Sequence, residues 1–457
     1  MGFRAFLAIL LCKLLRFVSR VLHRGGTAMP GRWALRVCPG LLGLLAKDVK
    51  TVAVTGTNGK TTSARMIEQA FADQGLSYFS NRSGANLLSG ITTEFVMNST
   101  LSGRCRKEYA VIECDEAASV SVFPQLKPRV ILVTNLFRDQ LDRYGEVTHT
   151  LANVRTGIQG VPEARLCLNA DCSLTASLAD DLPNDCVFFG INPGACPSGQ
   201  KSELSDAPYC IRCKTEYQYD FITYGHLGSF RCPRCGYRRR EPEYAVTDIA
   251  AQTAEGSSIV LSARGIKHLA EVNLPALYNV YNAAGAVAAV TEMGLGTDAG
   301  IAAVEGFKCG FGRMENFALG KRGAKMMLVK NPAGCNQVLD FLCQVKEPFS
   351  LVVCLNDRGA DGTDVSWIYD AAFEKLGACG GYLSAIAVSG DRAADMAVRL
   401  KYAGIAPQAL HIERDNEALV QWIDAQEQPV FIIPTYTAML ELREAVIRRV
   451  GGDEFWV

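Results

Sequence analysis

The sequence predicts an α/β protein: a central domain on a parallel sheet, a small cysteine-paired insert within it, and a second α/β domain after it. Three observations carry this. Short β-branched runs alternate with helical stretches, the pattern of a parallel sheet covered by helices on both faces. One such run, Lys50 to Thr55, leads straight into a Gly-rich turn, Gly56-Thr57-Asn58-Gly59-Lys60-Thr61-Thr62. Two Cys-x2-Cys pairs break the alternation between Ser202 and Glu243.

The bulk numbers agree with several packed cores. A chain of 457 residues exceeds one ordinary core and suggests about two to four domains. With 49% hydrophobic and 21% charged residues, the composition is globular and not disordered. A formal net charge of zero argues against a wholesale nucleic-acid or polyanion binder. Seventeen cysteines, odd in number and mostly scattered, with no secretory signal, point to a reducing, cytoplasmic compartment.

Residues 1–48 form a basic amphipathic helical segment. From Met1 to Lys47 there is no acidic residue, while Arg4, Lys13, Arg16, Arg20, Arg24, Arg32, Arg36 and Lys47 are all basic. Lys13, Arg16, Arg20 and Arg24 share one helical face, and Leu and Phe residues fill the other. The longest apolar run here, Ala5 to Cys12, is far short of the roughly 20 residues that span a bilayer. Two readings stand: a helix lying on an anionic membrane surface through residues 3–24, or a helix packed on its own protein with its basic face in water.

Residues 49–315 form the central domain. After Lys50–Thr55, a helix is expected from Thr62 to Gln74. Tyr109–Glu113 and Arg129–Val133 are buried-strand candidates, and Arg165–Asn169 and Asp185–Phe189 continue the series. The fold resumes near Ser257–Leu261 beyond the insert, 202–243, and an Ala-rich helix follows from Asn279 to Met293. A boundary lies near Gly310-Phe311-Gly312-Arg313. Residues 316–457 form the second α/β domain, with strands expected at Phe349–Leu355, Ala385–Ser389 and Val430–Ile433.

The Gly-rich turn is a phosphate-binding loop. Its glycines let the backbone aim N–H groups at phosphate oxygens, and the following helix offers its positive end. Lys60 is placed to neutralise the terminal phosphates of ATP and Thr61 to ligate Mg2+. A carboxylate is also needed for that metal. Glu113 ends a strand, where ligands sit in open α/β sheets, and is preferred over its neighbours Asp115 and Glu116. In the insert, Cys210-x2-Cys213 and Cys232-x2-Cys235 stand 18 residues apart, the spacing of a four-thiolate zinc ribbon. Four thiolates leave no open position, so such a zinc is structural.

The motifs, taken in order, resemble the Mur ligase family. They are GTNGKTT, Thr134-Asn135, Asp139-Gln140-Leu141-Asp142-Arg143, Asn169-Ala170-Asp171, Asn279-Val280-Tyr281-Asn282 and Gly312-Arg313-Met314-Glu315. The resemblance implies a Mur ligase central domain that joins an amine to a carboxylate through an acyl-phosphate, using ATP and Mg2+. It implies nucleotide contact by Asn282 and phosphate contact by Arg313. Two departures matter. Gln140 stands where the family often has a metal-holding His, which puts a second metal site in question. Only 55 residues precede Gly56, too few for a UDP-sugar-binding domain, so a soluble UDP-linked peptide is not the expected substrate.

Within the family, the resemblance is greatest to the branch that combines a zinc ribbon with a distinctive C-terminal domain. Lys330-Asn331-Pro332-Ala333-Gly334, Asn356-Asp357, Asp361-Gly362-Thr363-Asp364-Val365-Ser366-Trp367-Ile368-Tyr369-Asp370 and Pro434-Thr435-Tyr436-Thr437 carry it. That branch implies amidation of the D-glutamate α-carboxylate of lipid II to D-isoglutamine. It also implies ammonia from a GatD-like glutamine amidotransferase subunit, whose Cys–His pair Asp364 completes. Read from the residues alone, Asp364 is a helix cap, since Asp before an apolar run is a common N-cap. Other readings are a folylpolyglutamate-synthase-like ligase, a nucleotide-binding scaffold without activity, and a zinc-ribbon RNA binder.

Overall fold

The computed structural model describes residues 2–21, 28–81, 85–138, 147–195, 205–253, 255–307, 313–379 and 381–451. Arg24, Gly312 and the motif from Asp139 to Arg143 lie outside them. The chain opens with three helices, α1 (Phe3–Val21), α2 (Ala28–Val37) and α3 (Leu41–Ala46). Helix α1 packs through its small side chains: Ala5, Ala8, Ile9 and Cys12 are buried, whereas Phe3, Leu14 and Phe17 are exposed. Its cations turn partly inward. Lys13 Nζ donates to the Ser99 carbonyl at 2.8 Å, and Arg16 and Arg20 lie near Glu94. Helix α1 is thus packed on its own protein, with Arg4 and Arg20 exposed and Lys13 and Arg16 half-buried. Helix α2 crosses α5 (Leu88–Met97) at Gly31, where a Cβ would come within 1.8 Å of the Ser89 carbonyl.

The central sheet has nine strands in the order β11-β10-β9-β6-β5-β4-β1-β3-β2. Strands β1 (Lys50–Thr55), β2 (Tyr78–Ser80), β3 (Tyr109–Glu113), β4 (Val130–Val133), β5 (Arg165–Asn169), β6 (Cys186–Ile191) and β9 (Tyr244–Gln252) run parallel. The expectation of a wholly parallel sheet needs one amendment. Strands β10 (Ser257–Ala263) and β11 (Ile266–Val272) add an antiparallel meander at one edge. Residues on β10 alternate between buried and half-buried, as befits strands covered on one face only.

Helices α4 (Lys60–Asp73), α6 (Ser119–Leu126) and α7 (Val147–Gln159) cover the sheet, with α8 (Leu277–Val290) and α9 (Thr297–Gly306). In α8, twelve residues from Asn279 to Val290 are buried, because its Ala and Gly side chains let it lie close on the strands. The insert carries its own hairpin, β7 (Gln218–Tyr224) with β8 (Leu227–Arg231).

The C-terminal sheet has six strands in the order β12-β13-β17-β14-β15-β16. They are β12 (Arg313–Phe317), β13 (Ala324–Met327), β14 (Phe349–Cys354), β15 (Leu383–Ser389), β16 (Leu410–Ile412) and β17 (Val430–Pro434). All pairs are parallel except β12 with β13. Helices α10 (Pro332–Gln344), α11 (Ala393–Tyr402), α12 (Asn416–Asp424) and α13 (Tyr436–Val450) pack around it. Glu315 of β12 accepts from Arg443 of α13 through both carboxylate oxygens, at 2.9–3.0 Å.

Candidate active site

The Gly-rich loop is shaped by hydrogen bonds with the segment that follows β4. Thr57 N donates to the Asn135 carbonyl at 2.8 Å, and Asn58 N to Asn135 Oδ1 at 3.0 Å. Thr134 Oγ1 donates to the Asn58 carbonyl at 2.7 Å. Thr57 Oγ1 donates to the Phe137 carbonyl at 3.1 Å. Gly56 and Gly59 have φ of +118° and +85°, a region costly for residues with a Cβ. At Gly59 a Cβ would also fall 2.0 Å from Asn282 Oδ1. The loop thus lies directly against Asn282 of α8, a residue expected at the nucleotide.

Three acids follow β3, and the structure gives each a different task. Glu113 Oε2 accepts from the Thr61 hydroxyl at 2.8 Å, so the two expected Mg2+ ligands are brought together. Asp115 accepts from the N–H groups of Ala117 and Ala118 at 3.0 and 3.3 Å and shapes the turn into α6. Glu116 forms a buried ion pair with Lys60, Nζ to Oε1 3.0 Å. Lys60 also donates to the Gly56 carbonyl. Burial alone would favour loss of the Lys60 proton, but the charges of Glu116 and Glu113 outweigh it and hold the ammonium above its ordinary pKa. Burial pushes Glu116 up, while Lys60 and Lys330 pull it down. Glu116 was among the acids noted in the sequence, yet its role as the lysine's partner had no signal there.

A cleft runs from this loop into the C-terminal domain. Asn58, Gly59, Thr62, Tyr278, Asn279 and Asn282 line one side, and Met314, Met327, Leu328, Ala333, Gly334 and Val338 the other. It holds about 640 Å³ of space, part of it open to solvent. Polar loop atoms at one end and apolar side chains at the other suit a nucleotide's phosphates and base. Asn331 ties the two domains beside it. Its Oδ1 caps α10 by accepting from Gly334 N at 2.8 Å, and its Nδ2 donates to Asn58 Oδ1 at 3.1 Å. Arg313 begins β12, and its side chain lies outside the described structure.

The insert is built onto the same site. Asp171 is fully buried, and its carboxylate receives Arg239 Nε at 2.6 Å, the Tyr281 hydroxyl at 2.6 Å and Ile191 N at 2.9 Å. Arg239 belongs to the insert and Tyr281 to α8, so Asp171 joins them. Tyr224 of β7 stacks on Phe137 with ring centroids 5.8 Å apart and reaches the cleft wall. The Sγ atoms of Cys210, Cys213, Cys232 and Cys235 lie within 4.8 Å of one another. Lys214 and Gly236 after each pair have positive φ, and their N–H groups donate back to the carbonyls of Cys210 and Cys232. Four converging sulfur donors fit a tetrahedral zinc.

Asp364 lies in the C-terminal domain, half-buried, on the loop after β14. Its Oδ1 accepts from Ser366 N at 2.8 Å. That bond closes an Asx-type turn just ahead of the 3-10 turn Ser366–Tyr369, whose own N-cap position is Val365. Nearby Asp361 accepts from Thr437 N at 2.7 Å, joining this loop to the start of α13.

Comparison with known proteins agrees with this architecture. Residues 54–230 match the family model of the Mur ligase middle domain, and residues 328–439 that of the MurT ligase C-terminal domain. The chain is 32% identical over 450 residues to the MurT subunit of lipid II isoglutaminyl synthase (glutamine-hydrolyzing) from Streptococcus pneumoniae, covering 98% of each. It is 33% identical over 456 residues to the same subunit from Staphylococcus aureus, covering 99% of this chain and 100% of that protein. Among solved structures, a pseudomurein peptide ligase type C from Methanothermus fervidus shares the fold, with a TM-score of 0.66 at 20% identity over 88% of this chain and 79% of that one.

Proposed function

The chain belongs to the Mur ligase family as a MurT-type, ATP-dependent ligase of peptidoglycan synthesis, and on that premise we propose a full reaction for it. It amidates the D-glutamate α-carboxylate of the lipid II stem peptide to D-isoglutamine through an acyl-phosphate. Ammonia comes from a GatD-like glutamine amidotransferase partner. The reaction takes place at the cytoplasmic face of the membrane that holds lipid II. The domain of the nine-stranded sheet supplies the ATP site, and the C-terminal domain, from β12 onward, completes it.

A carboxylate oxygen of the substrate attacks the γ-phosphorus in line. The bond to the β–γ bridging oxygen breaks, and ADP leaves with the electron pair. Ammonia then attacks the acyl carbon, phosphate leaves with its bonding electrons, and the extra proton passes to phosphate or water. The backbone N–H groups from Gly56 to Thr62 cradle the phosphates, and Lys60 neutralises their growing charge. Asn282 contacts the nucleotide, and Arg313 reaches the phosphates from the domain junction. The Thr61 hydroxyl and a Glu113 oxygen are hard donors that suit Mg2+, which when bound screens the phosphate oxygens. Cys210, Cys213, Cys232 and Cys235 hold a structural zinc. Asp364 completes the partner's Cys–His pair, orienting the imidazole.

The observation that carries this reading is the Thr61–Glu113 contact of 2.8 Å beside the buried Lys60–Glu116 ion pair of 3.0 Å. The test is glutamine-dependent amidation of lipid II by the chain co-purified with its glutaminase, beside a Lys60→Ala variant. Loss of at least 100-fold in rate, about 3 kcal/mol or more of transition-state stabilisation, is expected. A variant that amidates at the normal rate sinks the reading.

A further inference from the structure

Helix α1 has an unusual division of faces. Ala5, Ala8, Ile9 and Cys12, each at most 3% exposed, make the packed side. Phe3, Phe6, Leu7, Leu10, Leu14, Phe17 and Val18 all point outward, with Phe3 76% and Phe17 65% exposed. At about 100° per residue these seven fall within an arc of roughly 120°. Exposed Arg4 flanks the arc on one side and exposed Arg20 on the other, while Lys13 is held to the Ser99 carbonyl. Helix α2 adds exposed Met29 and Trp33, with the Arg36 guanidinium 4.5 Å from the Trp33 ring centroid.

A continuous apolar stripe of this size is rare on the free surface of a soluble protein. We propose that this stripe is the enzyme's docking surface for an anionic phospholipid bilayer. The helix lies in the plane of the interface, its large side chains among the acyl chains and its flanking cations among the headgroups. The charge pattern selects this occupant. With no acidic residue from Met1 to Lys47, a second copy on the stripe would set cations against cations. Crossing is not the mode, since no helix among the described residues is long and apolar enough to span a membrane. The inference rests on the reading that the substrate is lipid-anchored, and it adds the face and the lipid chemistry that bring the enzyme to it.

The test is flotation of the full chain, co-purified with its partner, on vesicles of phosphatidylglycerol and phosphatidylethanolamine, with phosphatidylcholine vesicles for comparison. A Leu14→Glu, Phe17→Glu double variant is run beside wild type. Both side chains are exposed, so the fold should survive, which an unchanged melting profile verifies. Wild type should float on the anionic vesicles and bind neutral ones at least tenfold less. The variant should lose at least tenfold in binding and in amidation of vesicle-embedded lipid II. Its rate on a short-chain, water-soluble lipid II analogue should not change. Wild type that stays unbound, or a variant that floats equally well, overturns the proposal. So does an oligomer of wild type that the variant dissolves, or occupation of the stripe by the partner subunit. Wild type that amidates without floating sinks the docking alone. Wild type that floats without amidating supports the docking and sinks the reaction proposed above.

Discussion

Arg138 and Asp370 lie 232 residues apart in sequence, yet Arg138 Nη2 stands 2.6 Å from Asp370 Oδ2. The same arginine's backbone N–H donates to Asp206 Oδ2 at 2.9 Å. One residue after the central domain's β4 therefore holds both the insert and the C-terminal domain. Both side chains are about one-third exposed, so the pair should add only about 0.5–1 kcal/mol to stability. Because the pair joins the central and C-terminal domains, which together line the cleft, its larger expected effect is on nucleotide binding. Arg138→Ala and Asp370→Asn should each raise the KM for ATP several-fold while moving the melting temperature little. A double-mutant cycle on KM should show that the two effects overlap; fully additive effects would dismiss the pair as a closing contact.

The buried Lys60–Glu116 pair allows catalysis and stability to be separated. Removing one member of a buried pair leaves the other charge uncompensated, at a cost of about 3–5 kcal/mol. Glu116→Ala should therefore destabilise the central domain by that order, in denaturant titrations, and slow the reaction as well. The double variant Lys60→Met, Glu116→Met replaces both charges with apolar groups of similar size. It should recover most of the stability and none of the activity. Recovery of activity would mean that Lys60 does no more than balance Glu116.

Acid stability should report on Glu292. Burial would raise its pKa, but hydrogen bonds from Tyr244, Arg165 and Arg264 bring it below its ordinary 4.5. A carboxyl depressed in the folded state contributes stability that is fully present above the unfolded pKa and lost as pH falls through the folded one. Glu292→Gln should thus cost about 2–3 kcal/mol near neutral pH. The gap from wild type should close as pH falls below about 4.5. A gap that is constant down to acid unfolding would show that the charge of Glu292 is not what matters.

Much of the fold was legible from local signals. The strand, Gly-rich turn and helix from Lys50 to Asp73 occupy consecutive residues, so their pattern needs no tertiary information. The cysteine pairs were legible for the same reason. The orientation of α1 was not. Periodicity shows two faces and not which one packs; here Ala5, Ala8 and Cys12 make the close fit and the large side chains face outward. Nor could the sequence rank Glu113, Asp115 and Glu116 by task. They sit within four residues at one strand end, and only the backbone turn decides which one meets Thr61 and which Lys60. Arg138–Asp370 and Asn58–Asn331 join residues of different domains, where no local pattern reaches.

Metal removal should be felt in the cleft. If the four cysteines hold zinc, the purified chain should carry it stoichiometrically, and Cys232→Ser should lower both zinc content and melting temperature. Because Tyr224 of the insert stacks on Phe137, whose backbone holds Thr57, loss of the ribbon should also weaken ATP binding several-fold. Calorimetric titration with ATP on the zinc-stripped chain would check this. Unchanged affinity would confine the ribbon to a role remote from the nucleotide.

Asp364 poses the sharpest separation between holding a turn and serving catalysis. Its Oδ1 accepts from Ser366 N at 2.8 Å, and an Asn side chain can accept that bond equally well. Asp364→Asn therefore keeps the turn and removes only the charge. Without that charge the partner's imidazole loses its orienting and stabilising carboxylate. Glutamine hydrolysis by the complex should fall by at least 100-fold, while amidation driven by added ammonium salt should remain near normal. Asp364→Ala should do the same and also cost about 1 kcal/mol of local stability, as expected for one lost hydrogen bond. If Asp364→Asn hydrolyses glutamine at the normal rate and only Asp364→Ala is impaired, the residue holds the turn and nothing more. If both variants also fail with ammonium salt, the loop from Asp361 to Asp370 serves the ligase reaction itself, and the division of labour between the two subunits has to be redrawn.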